Sequence, residues 1–62
     1  MKRKDLMRRL REIATDKEVD LVLVRQGAHE IWLLGRLRIP VPRHNEIAEG
    51  TAKAIIRRAE DA

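Results

Sequence analysis

Apolar positions near the start of the chain fall at helical spacing. Leu6, Met7, Leu10, Ile13 and Ala14 recur with Arg8, Arg9, Arg11 and Glu12 between them, so Lys2 to Ala14 predicts an amphipathic helix with one buried stripe. The polar run Thr15-Asp16-Lys17-Glu18 is expected to end it. The period then changes. Val19 to Val24 is β-branched and apolar and predicts a strand largely buried on at least one face. Gln26-Gly27-Ala28 predicts a hairpin turn in which Gly27 takes positive φ at little cost. Glu30 to Leu34 predicts a second strand with His29 at its mouth, and Gly35-Arg36 a second tight turn. Leu37, Ile39 and Val41 alternate with Arg38 and Pro40 in a third strand, which Pro42 is expected to close.

Pro40 carries topological information. Proline cannot donate to a ladder, so the third strand belongs at a sheet edge with residue 40 facing outward, where a simple meander places it. From Glu46 to Ala59, Ala48, Ala52, Ile55, Ile56 and Ala59 share a stripe and predict a second amphipathic helix. Gly50 is costly in a helix interior, so regular helix is expected to begin near Glu49–Thr51. The predicted order is α-β-β-β-α: an α+β fold with a three-stranded antiparallel sheet and two helices on one face. The opposite face is then open. In the second strand, His29, Ile31 and Leu33 share one parity and Glu30, Trp32 and Leu34 the other. Both sets are apolar enough for burial, so the core face is undecided at this level. Whichever set faces outward leaves an apolar surface suited to a protein partner.

Sixty-two residues predict one domain, residues 1–62, and a chain this short buries only ~60% of the surface its unfolded form exposes. Without cysteine there is no disulfide and no Cys/His zinc cluster, so stability is expected to come from tight packing, a partner subunit, or both. No apolar run reaches the ~18 residues of a membrane span, and no signal-like apolar region follows the basic start. These features predict a cytoplasmic protein without membrane contact. The chain carries 14 Lys+Arg against 10 Asp+Glu, for a net charge of +4. Arginines 25, 36, 38 and 43 surround both histidines in the middle section, while most acids lie in the helical ends. Arginine favours planar, bidentate contacts with phosphate or carboxylate, so the middle section is the candidate polyanion surface.

Several chemistries find no support in these residues. There is no HExxH, no DxD pair, no serine, no cysteine and no glycine-rich phosphate loop, and Glu46 and Glu49 near His44 have the spacing of an exposed helix start. What remains is acid–base work by histidine on a phosphodiester. RNA supplies its own nucleophile, the 2′-hydroxyl; an imidazole can take that proton or protonate the leaving 5′-oxygen, and guanidinium groups can stabilise the charge of the transition state. His29 with Arg25 and Arg43 meets that minimum, with Arg36 and Arg38 as further phosphate contacts. His44 is either a second proton-transfer group or a surface residue. His29 is equally open to a bland assignment as a turn residue at a strand end.

The block Met-Lys-Arg-Lys-Asp-Leu at the start resembles the HicA toxins of bacterial toxin–antitoxin systems. So do Val-Arg-Gln-Gly-Ala-His-Glu-Ile-Trp in the middle and the stretch from Ile39 to Ala59. The resemblance covers essentially the whole chain and implies a fold like a double-stranded-RNA-binding domain. It also implies a metal-independent, cofactor-free endonuclease acting on messenger RNA and neutralised by an acidic HicB-type antitoxin, with which it would form toxin–antitoxin complexes. The family's Gly-Ser-His motif falls on Gly27-Ala28-His29, so His29 inherits the catalytic role. Ala28 departs from the family serine. The connection from Ile13 to Leu21 is longer than usual and lacks the frequent Gly-aromatic pair. Two alternatives fit the same residues: a non-catalytic RNA-binding module of this fold, and an interaction protein whose basic face docks an acidic partner.

Overall fold

The computed structural model describes residues 1–62 and runs α1 (Arg3–Lys17), β1 (Leu21–Arg25), β2 (His29–Leu34), β3 (Leu37–Pro42) and α2 (Glu49–Asp61). The strands form an antiparallel meander in the order β1-β2-β3, which puts β3 at an edge as Pro40 requires. Glu30, Trp32 and Leu34 of β2 lie opposite Val41, Ile39 and Leu37 of β3. Residues paired in this way share a face, so this is the side on which both helices pack. The core is wholly apolar: five residues of α1, then Leu34, Ile39 and Val41 of the sheet, Ile47, and Ala52, Ile55 and Ala59 of α2.

Four local features differ from the sequence-based expectation. The run Thr15–Lys17 continues α1 instead of ending it, because it holds no helix breaker and the Thr15 hydroxyl donates back to the Arg11 carbonyl at 3.0 Å. The helix stops at Glu18, whose left-handed backbone (φ 58°) lets its own N–H and that of Val19 reach back to the Thr15 and Ala14 carbonyls. Gly27 does not take positive φ; Gly35 does, at 62°. Positive φ at the first central residue of the two-residue β2–β3 loop is the signature of a type II′ hairpin turn. Strand β1 begins at Leu21 and is not largely buried: Leu21 and Leu23 are half-buried, and Val22 and Val24 are 49% and 52% exposed. In the last segment Ala48 lies outside the buried stripe, as the exposed residue before α2, and Ile47 takes the core position instead. Helix α2 itself begins at Glu49, at the looser start that Gly50 suggests.

Two sets of contacts fix the end of the sheet where β2 begins. The first three residues run beside the β3–α2 connection. The Arg3 and Ile47 amides bond to the Asn45 and Met1 carbonyls, both at 2.8 Å, and the Met1 ammonium reaches Glu46 at 2.8 Å and Glu49 at 3.2 Å. Those hydrogen bonds, Glu46 first, raise the ammonium above its ordinary 8.0, and the same ammonium lowers Glu46. Beneath β2, the Glu30 carboxylate takes a hydrogen-bonded ion pair from Arg3 and a bond from the Trp32 indole at 3.0 Å, while Arg3 Nε donates to the Pro42 carbonyl at 3.3 Å. Glu30 and Arg3 are mostly buried, so the pair ties α1 to the mouth of β2 and the end of β3.

Replacing Glu18 by Gly removes a left-handed non-glycine residue and should stabilise the fold by about 1 kcal/mol. Gly35→Ala should cost about 1–2 kcal/mol, because its backbone has positive φ, although the added Cβ would only reach van der Waals contact with Val19 at 3.4 Å. Gly27→Ala, with negative φ and only the His29 carbonyl at 3.9 Å, should be close to neutral; urea titration of the three glycine variants checks all of these values. Glu30→Ala leaves the Trp32 indole N–H without its acceptor and Arg3 with only the Pro42 carbonyl, and should cost roughly 2 kcal/mol. Glu30→Gln, which keeps an acceptor, should cost less. Fluorescence of Trp32, the sole tryptophan, reports both unfolding and loss of this contact.

Candidate functional site on the open face

The register decides the question that parity left open. His29, Ile31 and Leu33 face away from the helices, opposite Pro42, Pro40 and Arg38 of β3. On β1, simple alternation would place Arg25 with Leu21 and Leu23 on the helix side. A bulge between Leu23 and Arg25 shifts the register, so Arg25 lies opposite Ile31 and joins the open face. The open face therefore carries Val22, Val24, Arg25, His29, Ile31, Leu33, Arg38, Pro40 and Pro42, and no acid among them.

His29 opens β2 and is exposed. Its ring makes no hydrogen bond within the chain, since residue 28 is alanine and Glu30 is engaged on the other face. It forms one wall of a groove of about 480 Å³ along the outer edge of β3, completed by Pro40, Pro42, Gly50, Thr51, Ala54, Ile55 and Arg58. Arg58 defines the far side by donating to the Arg38 carbonyl at 3.1 Å, which holds α2 against the strand edge. Gly50 and Ala54 keep the helix wall back, and no atom lies within 4 Å of where a Gly50 side chain would begin.

Three of the expected residues come together at this end of the sheet. Arg25 and His29 share the face, and Arg43 donates to the Gly27 carbonyl at 3.1 Å, which pins its guanidinium to the loop preceding His29. Arg38 is on the same face but four residues along β2 from His29, about 13 Å at strand rise. Arg36 lies in the hairpin turn beyond the far end of β2, and His44 is exposed in the β3–α2 connection without lining the groove. Arg3, Glu30 and the α2 wall were not legible as site-supporting residues. Their only sequence signal is a glutamate two residues before a tryptophan on one strand face. No three of the His, Asp and Glu side chains converge as a metal site would require, and no helix is long and apolar enough to cross a membrane.

Comparison with known proteins adds one finding. No curated protein and no solved structure gives a significant match. A family model, described as HicA toxin of bacterial toxin-antitoxin, matches residues 17–60. That stretch holds all three strands, nearly all of α2 and the whole His29 groove, well over half the chain. The chain belongs to the HicA family of toxins from bacterial toxin–antitoxin systems.

Proposed function

We propose that this toxin is a metal-independent endoribonuclease acting on messenger RNA, with His29 as its acid–base residue. The observation that carries the proposal is an exposed imidazole, unengaged within the chain, on an acid-free face with Arg25 and Arg43 beside it. A phosphodiester laid across this face meets guanidinium groups and an imidazole. His29 accepts the proton of the RNA 2′-hydroxyl as that oxygen attacks the adjacent phosphorus. The 5′-oxygen departs with a proton taken from solvent water, leaving a 2′,3′-cyclic phosphate, and His29 returns its proton to solvent. Arg25 and Arg43 stabilise the extra charge at phosphorus, and Arg38 holds the strand further along the same face. Ala28 offers no hydroxyl to orient the ring, so the ring's position depends on β2 and on the Arg43 tether of the preceding loop.

The cognate antitoxin, on this proposal an acidic HicB-type protein, inhibits by covering the face around His29. Its carboxylates compete with phosphate for Arg25 and Arg43, because arginine pairs bidentately with either.

Purified protein should cleave single-stranded RNA in the presence of EDTA and leave 2′,3′-cyclic or 3′-phosphate ends. RNA carrying 2′-deoxy or 2′-O-methyl at the cut position should resist. His29→Ala should keep the far-UV spectrum and RNA affinity but lose roughly 10²-fold or more in rate. Equal cleavage by the variant, loss of activity on chelation, or cutting of DNA would each overturn the mechanism.

A further inference from the structure

The two edges of the sheet are built differently. Because the β2–β3 turn has two residues, Leu34 and Leu37 form a hydrogen-bonded pair, and the alternation then turns the main-chain groups of residues 38, 40 and 42 outward. Two of those residues are proline and have no N–H. The Arg38 and Pro42 carbonyls are taken by Arg58 and Arg3. The β3 edge is closed to another strand.

The β1 edge has no such device. Gly35 N–H bonds to the Asp20 carbonyl at 2.9 Å, so Asp20 and Val22 face β2, and Leu21 and Leu23 turn their N–H and C=O groups outward. Neither residue is proline, and no side chain covers the four groups. On the helix side this edge borders a hollow of about 300 Å³ lined by Arg11, Thr15, Asp20, Leu21 and Trp32 among others. On the open side it borders Val22 and Val24.

We infer that the antitoxin adds a strand to the β1 edge. This deepens the partner half of the preceding proposal and does not depend on His29 being catalytic. The edge presents donors and acceptors in alternation at strand spacing, which a peptide backbone satisfies. A nucleic-acid backbone carries phosphate acceptors and at most one donor per nucleotide, the ribose 2′-hydroxyl, so it matches the alternating N–H and C=O groups less well than a peptide strand does. Charge selects the kind of protein. On the helix side Arg11 is offset by Asp20 in the same hollow; on the open side Arg25 is not ion-paired within the chain, and the chain carries +4 overall, so the added segment carries an acid opposite Arg25. The exposed valines call for apolar residues at alternate positions on its open side. The hollow beside α1 receives one side chain from its other face, as grooves that bind by strand addition do. A second copy of this chain fits poorly, because it would bring one +4 net charge against another.

The test is amide hydrogen exchange by NMR on the ¹⁵N-labelled full chain, alone and in complex with the protein encoded by the reading frame adjacent to its own. Alone, the Val22 amide should be protected and those of Leu21 and Leu23 should exchange freely. In the complex, both leucine amides should slow by at least ~100-fold. A chemically synthesised chain with N-methyl-Leu23 keeps the side chain but loses one outward donor. It should fold, by an unchanged circular dichroism spectrum, and bind the partner at least ~10-fold more weakly. A complex that leaves Leu21 and Leu23 exchanging, while the methyls of Val22 and Ile31 shift, overturns strand addition and leaves inhibition by covering the face intact. If the two proteins form no complex, both fall.

Discussion

Two short helices can bury one face of a three-stranded sheet and no more. Helix α1 supplies five core residues and α2 three, against Leu34, Ile39 and Val41 from the sheet, and every buried residue is apolar. With no cysteine and no fully buried polar residue, that single layer of packing carries most of the fold. The uncovered face follows directly. It holds the exposed imidazole, the arginines without acids, and the valines and Ile31 that no helix reaches. The surface available for RNA or an antitoxin has the same physical origin as the protein's modest core.

The sheet's periphery does the remaining work. At the β3 edge, proline removes main-chain donors and arginine occupies carbonyls, so one set of residues closes the edge, anchors α2 through Arg58 and walls the groove beside His29. At the mouth of β2, the Arg3–Glu30–Trp32 contacts join the first turn of α1 to the strand end that begins with His29. Stability and site geometry therefore share residues, and a change at Glu30 would disturb both although its side chain points away from the open face. The bulge in β1 adds a further economy: one irregular residue converts Arg25 from a helix-side position to an open-face one.

A histidine-based ribonuclease needs little apparatus because the substrate carries the nucleophile. In the proposed reaction the protein supplies proton transfer and charge stabilisation, and one exposed ring with two guanidinium groups is a sufficient set. That economy suits a family whose members pair a small toxin with an antitoxin. On that proposal the face around His29 lies open, and control falls to whatever covers it.

The sequence by itself determined the element order, the edge position of the third strand and the apolar stripes of both helices, since each rests on local periodicity or on what proline cannot do. The resemblance in Gly27-Ala28-His29 marked the candidate catalytic ring and the toxin family. It did not determine which glycine takes positive φ, because Gly27 and Gly35 both follow strands and only the two-residue β2–β3 loop demands a type II′ turn. Nor could it choose the core face of β2, where both parities are apolar; register against Ile39 and Val41, which the helices cover completely, makes that choice. Arg25 reaches the open face through a bulge that alternation does not foresee. Glu30 becomes a structural anchor through partners 27 and two residues away, one of them on another element. These outcomes depend on contacts between segments distant in the chain, and only the tertiary structure brings those segments together.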